Sequence, residues 1–319
     1  MWLIRACFFV ALATMSGGVI AAPAVSITVK DLTPKFLTFY RAAAGAHLSA
    51  EQRFKLWKQD DGFAAVPPTP QGDQIARKLL DAAWPKYPSA LSRIEKGAAG
   101  IQPSPQATLQ RVADLLQVDK PVHITLMVYV GAFEGNAFTA GGPKGVTVAL
   151  PVEQSARQRG PVMTHEFTHA VVIATGYSSG GWVRTIGETV LQEGLAMHVA
   201  QHFYPDRPVK TFVEMPSEPG WLARSERLQP QILRDVKTAL RSDKSSDVMR
   251  FTMGVGPSGI DREAYYAGWK VVGYWLSHGL TYADIARIPE ADAPARVGAA
   301  IDAMLRESGE TSGQISDNP

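Results

Sequence analysis

Two of the seven histidines, His165 and His169, stand four residues apart, with Glu166 directly after the first. Four residues advance a helix by about 400°, so both imidazoles leave one face, can share a tetrahedral cation, and keep Glu166 beside them. The spacing asks for a helix, and the neighbouring residues fit one. Pro161 suits a first helical turn and Gly176 an exit, while Val162, Val172 and Ile173 share the histidine face, which predicts that this face points inward. A catalytic zinc site usually takes three protein ligands and leaves one position to water. The fold must then bring a third donor to this helix.

That donor cannot be a thiol. The single cysteine, Cys7, lies in Met1–Ala24, where Arg5, an apolar run from Ala6 to Met15 and a tail of small residues read as a secretory signal with cleavage after Ala21 or Ala24. The apolar run is short of the ~20 residues of a spanning helix, and no later segment could span. The expectation is an exported chain, periplasmic or secreted, with no disulfide and no membrane span after signal removal.

Ligands are thereby limited to His, Asp, Glu and water. The next helix, read as roughly Arg184 to Phe203, offers Glu188, Glu193, His198 and His202. Ile186, Val190, Met197 and Ala200 lie within about 60° of Glu193 around the helix, whereas Glu188 and His198 are turned about 140° away and His202 about 180°. A carboxylate in an apolar stripe is costly unless a cation meets it, which singles out Glu193 as third ligand. His198 and His202 repeat the four-residue spacing on the opposite face and read as solvated or packing residues. The set implies one Zn2+ per chain.

Around this site the chain reads as mainly helical α+β. Residues 25–118 show helices broken by proline-rich turns, with Phe36, Phe39, Tyr40 and Ala43 at helical spacing and Ser49 with Gln52 as a capping box. From Val122 the pattern becomes β-rich over 123–130 and 145–150, predicting a small sheet before the histidine helix. Helices then resume near Pro161, Val183, Leu228, Arg262 and Ala295. This divides the chain into a signal at 1–24, an N-terminal helical lobe at 25–118 and a catalytic unit at 119–319.

Other classes find little support. The 32 basic and 30 acidic side chains leave a net charge of +2 and no basic stripe, so nucleic acid is not an expected partner. Gly254–Gly259 spells G-x-G-x-x-G without a surrounding βαβ unit and reads as a loop. Gly131–Asn136 reads as a turn between strands, with Glu134 a weak candidate for holding a substrate amino terminus. No G-x-S-x-G or P-loop is present.

His165-Glu166-x-x-His169 followed by Glu193-Gly194-Leu195-Ala196 resembles the gluzincin metalloproteases, and the Glu-Gly-x-Ala tetrad looks especially like relatives of aminopeptidase N. Tyr265-Tyr266-Ala267-Gly268 extends the resemblance to a group taken for Zn-dependent proteases that carry H-E-x-x-H, E-G-L-A and Y-x-x-G. Val172 and Thr175 stand where a metzincin needs glycine and histidine. Two departures from the thermolysin pattern stand out: 23 residues separate His169 from Glu193, about a turn more, and Met197 replaces an aspartate that would orient a ligand. The resemblance implies a peptidase acting on peptide or protein substrates, and the signal reading makes it an exported one. His165, His169 and Glu193 would hold zinc, Glu166 would act as general base, and an inward-facing Tyr265 would donate to the oxyanion, with Tyr266 in reserve. A zinc-dependent hydrolase of a non-peptide amide or ester, or a periplasmic zinc-binding scaffold, are the alternatives. The oligomeric state is left open.

Overall fold

The computed structural model describes residues 24–60, 63, 64, 66, 69–181, 183–214 and 218–314, with side chains to 309. Apart from Ala24, the segment read as a secretory signal lies outside the described residues. In chain order the elements are β1 (Val25–Asp31), α1 (Thr33–Gly45), α2 (Ala50–Asp60), α3 (Pro70–Ala83), α4 (Tyr87–Lys96), α5 (Pro105–Leu115), β2 (Val122–Tyr129), β3 (Phe138–Ala140) and β4 (Val146–Pro151). Then follow α6 (Ala156–Ala174), α7 (Ile186–Phe203), α8 (Lys210–Val213), α9 (Trp221–Arg227), α10 (Gln229–Ala239), α11 (Ser245–Thr252), α12 (Glu263–Ser277), α13 (Tyr282–Ala286) and α14 (Ala293–Gln314). The molecule is mainly helical with one four-stranded sheet, an α+β fold as the sequence predicts.

The sheet has the order β1-β2-β4-β3, with β1, β2 and β4 parallel and β3 antiparallel to β4 at the far edge. β2 and β4 are apolar runs whose inner side chains, among them Ile124, Leu126, Val148 and Leu150, are buried. One expectation is corrected here. The sequence reading begins a helical lobe at Val25, yet residues 25–31 form a strand registered residue for residue on Val122–Val128. Helices α1 to α5 are therefore the crossover between two parallel neighbours, which a parallel pair requires because no tight turn can join its strands. The partner strand lies 97 positions along the chain, so no local turn signal marks the pair.

Helix α6 starts earlier than the sequence suggests. Ser155 and Gln158 form a capping box at its N-terminus, so Pro161 sits inside the helix and not in its first turn. A proline there cannot donate to the carbonyl four residues back. The Arg207 guanidinium instead donates to that Arg157 carbonyl at 3.5 Å. The exit is as read, with Gly176 in the left-handed region at φ +85° after the last turn.

Helix α7 lies against α6, α12 and α14, and every residue from Ile186 to Ala200 is buried. It meets α12 backbone to backbone. A Cβ on Gly194 would lie 2.3 Å from the Gly268 carbonyl oxygen, and a Cβ on Gly268 would lie 2.5 Å from the Val190 carbonyl oxygen. Only glycine at both positions permits this approach. The Gly of Glu-Gly-x-Ala and the Gly of Tyr-x-x-Gly are thus the two halves of one helix crossing.

Candidate metal centre

One turn of α6 and the middle of α7 bring His165, His169 and Glu193 to a common point. His165 Nε2 lies 3.1 Å from His169 Nε2 and 3.1 Å from Glu193 Oε2, and His169 Nε2 lies 3.6 Å from the same oxygen. A tetrahedral zinc ion with ligands at about 2.0–2.1 Å separates them by about 3.3 Å, so the observed triangle has the size of one face of that tetrahedron. Two imidazole nitrogens and one carboxylate oxygen are also a donor set that zinc accepts. Among the described residues this is the one group of three such side chains close enough to share a metal ion.

The charges fit as well. Burial alone would raise the Glu193 carboxyl, but the charge of His169 and hydrogen bonds to both histidines overcome it and hold the pKa well below the usual range. Burial opposes protonation of His165. The hydrogen bond and charge of Glu193, with the charge of Glu166, outweigh it and raise its pKa. A buried carboxylate facing two imidazoles is the electrostatic frame of a cation site.

Glu193 is the candidate the helical angles selected, and it does meet both histidines, although the structure revises the reason. Because α7 is enclosed on all sides, the apolar stripe does not distinguish Glu193: Glu188 and His198 are equally buried. They have other partners. Ser178 donates to Glu188 at 3.1 Å, and burial, then the nearby Glu290, push the Glu188 pKa up to about 7. His198 stacks on the Trp269 ring at 3.9 Å and donates from Nε2 to the Trp269 carbonyl at 2.8 Å.

Glu166 is buried beside the triangle, and Thr139 of β3 reaches it. The Thr139 hydroxyl lies 2.8 Å from Glu166 Oε2 and 2.9 Å from the Glu166 carbonyl oxygen. The two tyrosines exchange burial relative to the sequence reading. Tyr266, expected to face outward, is fully buried and donates to Gln229 at 3.0 Å. Tyr265, expected in the core, is only partly buried. Burial pushes its phenol up to about 12, the charge of Glu193 adding to the shift while Arg262 and Arg184 oppose it. The phenol therefore lies within electrostatic reach of Glu193. Helical angle failed here because α12 has apolar neighbours on both sides, so the outward side of the pattern is not an outward side of the molecule.

Sequence reasoning missed Thr139, Arg262, Arg184 and Gln192. Arg262 holds a left-handed backbone at φ 56° just before α12 and lays its guanidinium 3.8 Å from the Tyr265 ring centroid. Arg184 and Gln192 line a narrow cleft with Thr139 and His169. No local pattern marks these four: Thr139 meets Glu166 27 positions away, and only the packing of the helices shows which side chains face the cleft. The discounted motifs behave as read: Gly254–Gly259 is a loop between α11 and α12, and Gly131–Asn136 connects β2 to β3, with Glu134 bonding its own turn at Ala132 N. No helix among the described residues is long and apolar enough to cross a membrane.

Residues 118–293, over half of the chain, match the family model described as Predicted Zn-dependent protease (DUF2268). No curated protein and no solved structure matches the chain.

Proposed function

The chain belongs to this family of predicted Zn-dependent proteases, and we propose that it is an exported, gluzincin-type peptidase in which His165, His169 and Glu193 hold one zinc ion. The observation that carries the reading is the triangle of two imidazoles and a carboxylate with Glu166 held alongside by Thr139. A zinc ion bound there supplies Lewis acidity toward a water and a scissile carbonyl. Glu166 is the general base: it takes the proton of the attacking water and returns it to the leaving amine. Its acceptance of the Thr139 hydroxyl fixes one carboxylate oxygen and leaves the other for the water. Tyr265 donates its hydroxyl to the developing oxyanion, and its raised pKa keeps that proton in place at neutral pH. A purely structural site would have no use for a carboxylate at position 166.

Export rests on the sequence of the first 24 residues. Cleavage after Ala21 retains, and cleavage after Ala24 removes, the carbonyl of Ala24 that accepts from Val122 N at 3.0 Å; both leave β1 whole. The test of the catalytic reading is Glu166→Gln. The variant is expected to keep about one equivalent of zinc while cleavage of a random peptide library falls roughly 10²- to 10⁴-fold. Loss of the metal, or unchanged cleavage, would sink the assignment of Glu166.

A further inference from the structure

A narrow cleft opens beside His169, walled by Thr139 of β3 on one side and by the connection between α6 and α7 on the other. Its geometry is closely set. Gly141 N donates to the Gly180 carbonyl at 3.0 Å, and a Cβ on Gly180 would lie 2.7 Å from Gly141 N, so the connection is fastened to the end of β3. Two polar side chains lining this space make no side-chain hydrogen bond among the described residues. Gln192 is 3% exposed, yet its amide makes no hydrogen bond among the described residues. Arg184 is half-buried; the charge of Glu188 acts on it, but no carboxylate lies within ion-pair distance among the described residues, so its N–H donors are not used by one.

A guanidinium and an amide without hydrogen bonds in a confined polar space leave donor capacity unused, and that capacity is recovered when a ligand supplies acceptors. Five N–H donors in a planar fork match a carboxylate, and the amide N–H of Gln192 adds a further donor. Arg262 is already stacked on Tyr265, whereas the Arg184 guanidinium lines the cleft with no hydrogen-bond acceptor among the described residues. Resting on the peptidase reading above, we propose that this cleft binds a carboxylate of the substrate, held by Arg184 and Gln192 beside His169. The enzyme then favours peptides with an acidic side chain, or the chain's own terminal carboxylate, close to the bond cut.

Four acetylated pentapeptides separate the two sources: Ala-Ala-Glu-Ala-Ala and Ala-Ala-Gln-Ala-Ala, each as the free acid and as the amide. Binding is read by calorimetry on zinc-loaded Glu166→Gln protein, so no turnover is needed. At least one carboxylate is expected to tighten binding about tenfold over the fully neutral peptide, as one charge-assisted contact provides. Preference for the Glu amide assigns the side chain, and preference for the Gln acid assigns the terminus. Adding Arg184→Gln should erase the preference while binding of the neutral peptide changes less than about twofold, and Arg184→Lys should keep part of it. Equal binding of all four peptides overturns the proposal, as does a preference that survives Arg184→Gln, which would place the carboxylate on the metal alone. A protein that binds with this preference but hydrolyses no peptide would instead contradict the peptidase reading.

Discussion

Helices α6 and α7 each carry two histidines four residues apart, and the two pairs have opposite fates. His165 and His169 converge on Glu193, and the carboxylate raises the His165 pKa against the effect of burial. His198 lies flat on Trp269, and burial pushes its pKa down to about 4, while His202 is exposed and meets the edge of Tyr282. Spacing puts both pairs on a single helical face. What stands opposite decides their chemistry: a buried carboxylate makes a cation site, and an aromatic ring makes a packing site.

The largest effect should separate the pairs by metal content. His169→Ala and Glu193→Ala are expected to purify with less than about a tenth of an equivalent of zinc and to lose hydrolysis by at least ~10³-fold, whereas His198→Ala and His202→Ala retain the metal. Equal zinc in all four variants, measured by atomic emission, would erase the distinction.

The tyrosines offer a second contrast. Tyr265→Phe should lower kcat about 10²-fold with zinc unchanged, the cost of one lost oxyanion donor. Tyr266→Phe should leave kcat within a few-fold and cost about 1 kcal/mol of stability, because only its bond to Gln229 is lost. A reversed kinetic result would move the donor to Tyr266.

Third in size is the crossing of α7 and α12, the helices that carry Glu193 and Tyr265. Gly268→Ala forces a methyl against the Val190 carbonyl, and we expect about 3 kcal/mol of destabilisation together with a fall in kcat. Thermal melts and steady-state kinetics of the same preparation test both parts. An unchanged melting temperature would show that the helices separate freely.

The smallest effect concerns acid. His198 is neutral in the folded protein, and its pKa of about 4 lies below the ordinary value of 6.5. Its contribution is present above pH 6.5 and is lost as pH falls through 6.5 toward 4, amounting to about 2 kcal/mol by pH 5. Urea melts of His198→Gln should therefore lose less stability between pH 7 and pH 5 than the parent. Parallel curves would mean that His198 does not titrate as its surroundings require.

Much of the site is legible because its parts are local. Four-residue spacing and the glutamate between the histidines led to His165, Glu166 and His169, and the absence of a thiol from the residues after Ala24 together with helical angle led to Glu193. The same reasoning misread what depended on neighbours. Helical angle ranked Glu193 above Glu188 and Tyr265 deeper than Tyr266, yet α7 and α12 are enclosed on more than one side, where an apolar stripe no longer defines an interior. Thr139 sits on a three-residue strand too short to show a period, and β1 has its partner 97 positions away.

By itself the sequence determined the mainly helical character, the helix that presents two imidazoles and a base on one face, and the donor types a metal could find. These follow from periodicity and side-chain chemistry within one or two turns. Tertiary structure decided which tyrosine feels the charge of Glu193, which hydroxyl holds Glu166, and why glycines stand beside Glu193 and after Tyr265. Those depend on two helices meeting at backbone distance, a contact that no single segment encodes because each glycine makes room only for the other helix.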